Sequence, residues 1–166
     1  CLAMQTPNGK PTNGIIRRHT TENFFPLLGN KIYHDSLGGS TAWNTEKYLN
    51  IWVCKTESGI LGWSQFPSGG DPETDGVIID FEHFGTFGTA KYPYNLGRTA
   101  THEIGHWFNL FHLWGDNNCG NDWVNDTPIQ EQANFGCKIH PHTSCSNTGD
   151  MFMNFMDYTN DACMNS

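Results

Sequence analysis

HEIGHWFNLFH, from His102 to His112, carries three histidines and one glutamate at fixed offsets in a chain of 166 residues. His102 and His106 are four apart, so on a helix they stand one turn above each other, about 6 Å along the axis, and can share one metal ion. Glu103 lies beside the first of them, where its carboxylate reaches a water on the metal without itself being a ligand, the position of a general base. Two histidines on a helix surface are the plain alternative. His112 argues against it. On an unbroken helix it would lie about 15 Å further along the axis and about 80° off the ligand face. The chain must therefore reverse between His106 and His112 at a residue tolerant of positive φ, and Asn109 sits midway. The segment predicts a three-imidazole zinc site with one open position.

Outward from this segment, Arg98 to Leu110 reads as the one convincing helix, with Ala100, Ile104, Trp107, Phe108 and Phe111 as packing positions. Upstream, VIIDF (Val77 to Phe81) reads as a short β-branched strand. YLNIWVCK (Tyr48 to Lys55) alternates Leu49, Ile51 and Val53 on one face, and Ile60 to Phe66 follows the turn Glu57-Ser58-Gly59, which predicts a hairpin or two adjacent strands. After Gly115 regular pattern stops. The loop from Asp116 to Thr127 is rich in oxygen donors, and within it Asp122, Val124, Asp126 and Thr127 are candidate ligands for a structural calcium ion. A solvated turn using Asp and Asn for their left-handed tolerance is the alternative. His140 and His142, in HPH, read as surface residues rather than rival ligands.

Composition sets the frame. The length suits one domain. Seventeen acidic against nine basic residues give a net charge of -8, which disfavours nucleic acid and leaves room for cations or basic substrates. Four of the six cysteines, Cys119, Cys137, Cys145 and Cys163, crowd into the last third, which reads as disulfide stapling, in a pattern the sequence leaves open. A second zinc site is disfavoured because no CxxC pair occurs. Stapling implies a secreted or periplasmic location, and the absence of 18 consecutive apolar residues implies no membrane span. Cys54 reads as a buried apolar thiol, and Cys1 as free or a product of where the chain starts.

NFMDYTND, from Asn154 to Asp161, places Met156 two residues before Tyr158. HExxHxxNxxH is a close relative of the metzincin signature HExxHxxGxxH, and Met156 suits the methionine turn beneath such a metal. GGDPETDGVIID (Gly69 to Asp80), HEIGHWFNLFHLWGD (His102 to Asp116), CGNDWVNDTP (Cys119 to Pro128) and NFMDYTNDACM (Asn154 to Met164) together resemble the pappalysin family of metzincins over most of the chain.

The resemblance implies an α/β (α+β) metzincin-like fold, a twisted mixed sheet with an active-site helix above a loop-rich, disulfide-stapled C-terminal subdomain. Residues 1–112 would form the N-terminal subdomain, lacking an early strand and backing helix, and 113–166 the C-terminal one. It further implies bridges Cys119–Cys145 and Cys137–Cys163, and an apolar floor at Met156. Tyr158 would donate to the oxyanion, and Asp161 would line a primed-side pocket that selects Arg or Lys. The expected reaction is zinc-dependent hydrolysis of a polypeptide lying antiparallel to a sheet edge, assigned to Val77–Thr89. A monomer is expected, with no nucleic-acid or membrane partner and an inhibitory pro-segment outside the chain. A zinc hydrolase of small molecules and a weakly catalytic zinc-binding module are the competing readings.

Overall fold

A computed structural model describes residues 2–165. Among the described residues regular structure is sparse: strands β1 (Ile51–Cys54), β2 (Gly62–Ser64) and β3 (Val77–Asp80), one α-helix, α1 (Arg98–Trp107), and 3-10 turns at Lys31–Tyr33, Asp35–Leu37, Phe81–His83 and Asp161–Cys163. No helix among the described residues is long and apolar enough to cross a membrane.

The strands form one mixed sheet in the order β1-β3-β2, with β1 parallel and β2 antiparallel to β3. The expected hairpin is corrected, since β1 and β2 are not neighbours. All four residues of β3 are buried, Val77 and Ile79 completely, and a strand buried on both faces takes the centre of a sheet. Each of those two side chains contributes about 1.5–3 kcal/mol by burial. The Glu57–Gly59 turn does form, Ile60 N–H donating to the Glu57 carbonyl at 3.2 Å. It carries the chain over the end of β3, where Leu61 accepts from Asp80 N–H (2.8 Å). The expected substrate edge at Val77–Thr89 is corrected for the same reason: β3 is central, and β2 is an outer strand.

On β1 the apolar alternation is real but faces outward, Ile51 and Val53 being 41% and 44% exposed. Trp52 points inward instead, packing with Phe25, Ile32, Tyr33 and Ile78, while its Nε1–H donates to the Ser40 carbonyl at 2.7 Å. Tyr33 meets it edge-on at 5.0 Å. Cys54, half-buried at the end of β1, is a free thiol, pushed up to about 12 by burial and by the Asp80 charge, and so an inert one. Cys1 lies outside the described residues.

Asp80 ties the end of the sheet together. Burial alone would raise its pKa, but N–H groups of Glu82 (2.8 Å) and Thr56 (3.1 Å), the Thr56 hydroxyl (3.0 Å) and Lys55 Nζ (3.1 Å) outweigh burial and hold it below the usual value. A carboxylate depressed in the folded state contributes stability above its unfolded pKa, about 3.9, and that contribution is lost as pH falls through the folded value. Asp80→Asn is therefore expected to cost about 1–3 kcal/mol at neutral pH, leaving a donor among donors. Thermal melts should show the gap between the two proteins narrowing below about pH 4.

Helix α1 packs against β2 and β3. Gly62 permits that approach, because a Cβ there would lie 2.9 Å from both Glu103 Cγ and the Ile78 carbonyl oxygen. The N-terminus of α1 has no side-chain cap of its own; Asp161 Oδ2 instead accepts the N–H groups of Leu96 (2.7 Å) and Arg98 (3.2 Å) from across the chain. The helix stops at Trp107, three residues short of the expected Leu110, and Phe108, expected to pack, is 66% exposed. Beyond it, 113–166 contains no strand among the described residues. Cys119 is bonded to Cys145 and Cys137 to Cys163, and Leu113, Trp114 and Met156 form a second small core.

Candidate metal centre

Asn109 lies at φ 73°, in the left-handed region. Its N–H donates to the His106 carbonyl at 2.8 Å and Leu110 N–H to the Gly105 carbonyl at 2.9 Å, the pair of bonds that defines a Schellman helix end. This closure, rather than the apolar pattern, fixes the helix terminus. It turns the chain so that His112 returns to the face carrying His102 and His106. Asn109→Gly is expected to keep or slightly raise the melting temperature, whereas Asn109→Val should cost about 1–2 kcal/mol, because a β-branched side chain is crowded in the left-handed backbone.

His102, His106 and His112 form the one histidine, cysteine or carboxylate cluster of metal-binding size among the described residues. Their Nε2 atoms lie 3.0, 3.0 and 3.3 Å apart. His102 Nδ1–H donates to the Phe155 carbonyl (2.7 Å), His106 Nδ1–H to the Leu110 carbonyl (2.7 Å) and His112 Nδ1–H to Asp116 Oδ1 (2.6 Å). A carbonyl only accepts, so Nδ1 carries the proton in the first two rings, and a neutral ring then leaves Nε2 bare. Burial, aided by the neighbouring imidazoles, lowers the pKa of His102 to about 3, and burial lowers that of His106 to about 4, so both stay neutral. Lone pairs converging at this spacing repel one another unless a cation lies between them, and metal–nitrogen bonds of about 2.0–2.1 Å put ligands at about this separation. The residues fit a zinc ion.

Glu103 is buried beside this cluster, and burial raises its pKa to about 8. Met156 lies beneath the helix, so close that a Cβ on Gly105 would overlap its sulfur. Tyr158 stands on the open side, its hydroxyl 3.1 Å from His112 Nε2; burial, with Glu103 and other nearby carboxylates, pushes its pKa up to about 12 and keeps it a donor. A cavity of about 240 Å³ adjoins the site and is lined in part by Gly62, Arg98, His102, Glu103, Tyr158 and Asp161. Asp161 is buried rather than facing solvent. His140 is exposed, and the half-buried His142 donates from Nδ1 to Asp150 Oδ2 at 2.8 Å; neither joins the cluster.

In the downstream loop, Asp122 accepts from the Thr127 hydroxyl (2.7 Å) and Val124 N–H (3.2 Å), and the same hydroxyl lies 3.3 Å from the Val124 carbonyl. Asp126 is exposed. Asp116, grouped with this loop in sequence, is turned towards His112 instead. Its place four residues after a ligand histidine was the available signal; Gly62 and Gly105 left none.

A helix carrying HExxH, a reversal that returns a third histidine and a methionine beneath them define a metzincin-type metallopeptidase fold. Residues 33–166 match the family described as Pregnancy-associated plasma protein-A, and the chain belongs to that family, the pappalysins. It is 42% identical over 125 residues to an extracellular metalloprotease of Verticillium alfalfae, covering 72% of this chain and 45% of that protein. With Extracellular metalloprotease 1 of Coccidioides posadasii it is 39% identical over 122 residues, 70% of this chain and 44% of the relative. Mature mirolysin of Tannerella forsythia, solved in complex with a cleaved peptide, superposes with a TM-score of 0.95 at 49% identity over 99% of this chain and 64% of its own. A promirolysin mutant from the same organism gives 0.94 at 49% identity, over 99% of this chain and 56% of that one. The chain thus spans less than half the length of these two curated relatives.

Proposed function

We propose that the chain carries the active site of a zinc-dependent endopeptidase, and the observation that carries this reading is the convergence of three bare Nε2 atoms beside the buried Glu103. A zinc ion held by His102, His106 and His112 would supply Lewis acidity to a water molecule and to the scissile carbonyl. Glu103 accepts the proton of the attacking water and returns it to the leaving amine. Tyr158, a neutral phenol at the mouth of the site, donates to the developing oxyanion. Met156 provides an apolar floor that fixes the height of α1.

The substrate is a polypeptide, lying along the outer strand β2, whose Gly62 is next to Glu103. Asp161 favours Arg or Lys on the primed side, a reading supported by its place in the adjoining cavity. Extracytoplasmic location is supported by two disulfides and by relatives named extracellular. An inhibitory pro-segment is supported by the pro-form of mirolysin. Calcium bound by Asp122, Val124, Asp126 and Thr127 is a second, structural metal, supported by the clustering of the Asp122, Val124 and Thr127 oxygens. Excess calcium should then raise the melting temperature of the zinc-loaded chain, and an unchanged melt would remove it from the account.

The reaction is tested with casein and an Arg-containing fluorogenic peptide, with and without phenanthroline. Cleavage on the amino side of Arg, abolished by the chelator and restored by zinc, is the expected result. Cleavage that persists at full rate under chelation overturns the reading.

A further inference from the structure

His102 and His106 are held by the helix and donate from Nδ1 to backbone carbonyls, whereas His112 arrives after the chain has left α1 and has no helical neighbours to orient it. Side chains do that work instead. The indole of Trp114 lies flat against the His112 ring, centroids 4.4 Å apart and planes 4° apart, and Tyr158 meets the same ring edge-on at 4.9 Å. Asp116 Oδ1 accepts the Nδ1–H at 2.6 Å. Among the described residues Asp116 has no other ion-pair partner, and its carboxylate is 64% exposed, so packing does not explain its position. Its backbone does: Gly115 at φ 56° and Asp116 at φ 55° are consecutive left-handed residues, and they fold the carboxylate back onto the ring four positions earlier.

We infer that Asp116 is a positioning residue for the metal, orienting His112 and making its Nε2 a stronger donor, with Trp114 restraining the ring from its face. This rests on the zinc reading above. A carboxylate on the far nitrogen fixes the tautomer that leaves Nε2 bare, and the charge-assisted bond increases the basicity of the ring towards a cation. The three ligands are thus unequal: two are oriented by neutral carbonyls, and the one that needs the chain reversal is oriented by an anion. The same contact removes Asp116 from the oxygen donors of the downstream loop.

The test is the zinc affinity of the metal-free full chain, measured by competition with a chromophoric chelator, for wild type, Asp116→Asn and Asp116→Ala. Asn accepts the left-handed backbone and keeps an oxygen at the same place, so it removes the charge alone. The dissociation constant is expected to rise about 10-fold for Asn and towards about 100-fold for Ala, with circular dichroism of the metal-free chains unchanged. If the alanine variant fails to fold, the asparagine variant decides by itself. An asparagine variant binding zinc within about twofold of wild type overturns the inference, since outer-shell partners of this kind change affinity by more. A wild-type chain that takes up no zinc overturns the metal reading itself, and this inference with it.

Discussion

Replacing Glu103 by Gln is expected to lower kcat by about 10²–10⁴, the range in which a positioned general base contributes, while zinc content stays at the wild-type level. Gln fills the same volume, and that matters at a residue 7% exposed, wedged against Gly62 on β2. It still hydrogen-bonds the attacking water but cannot take its proton. Because Glu103 is not among the hydrogen-bond partners of the three histidines, the substitution separates chemistry from metal binding. Peptide kinetics beside elemental analysis check both halves. Near-normal turnover would remove Glu103 from the mechanism, and loss of zinc would make its role structural.

His112→Ala is expected to have the larger consequence. Two histidines one turn apart on α1 would remain, a site that lacks the third donor a catalytic zinc centre requires. Zinc affinity should fall by more than the roughly 10- to 100-fold typical of losing an outer partner, and hydrolysis should fall to background. The loss also uncovers the face of Trp114 that the ring now covers. The protein should nevertheless fold, since Leu113, Trp114 and Met156 keep their core and both disulfides lie elsewhere. A chain that retains zinc and activity without His112 would refute the three-histidine site.

These contrasts follow what was legible in the sequence. The site was legible because its geometry is local: the i, i+4 spacing of His102 and His106, and a left-handed residue before His112, are constraints within eleven consecutive residues. The apolar pattern of Phe108, Leu110 and Phe111 runs past the end of α1 at Trp107, a terminus that backbone hydrogen bonds decide. Strand order was not legible, since β1 and β2 each look like half of a hairpin, and only the burial of VIID on both faces places β3 between them. The same non-locality hid the second job of Asp161, whose carboxylate caps a helix more than sixty residues upstream. Alternation on β1 gave its period but not its inward face, because Trp52 outweighs Ile51 and Val53 in apolar area.

Asp116 shows how a residue can be seen and still misassigned. In a run of Asp and Asn it reads as part of an oxygen-rich loop, and nothing in composition distinguishes it from Asp122 or Asp126. The backbone does, by placing Gly115 and Asp116 both at positive φ and sending one carboxylate to His112, while Asp122 stays with Thr127.

The central claim is that three imidazoles of one chain hold one zinc ion, and X-ray absorption at the zinc edge of the purified protein tests it most directly. The account predicts three nitrogen ligands at about 2.0–2.1 Å with imidazole scattering and at least one oxygen donor in the remaining position. A spectrum with sulfur in the first shell, with two imidazoles, or a protein that takes up no zinc, would contradict it.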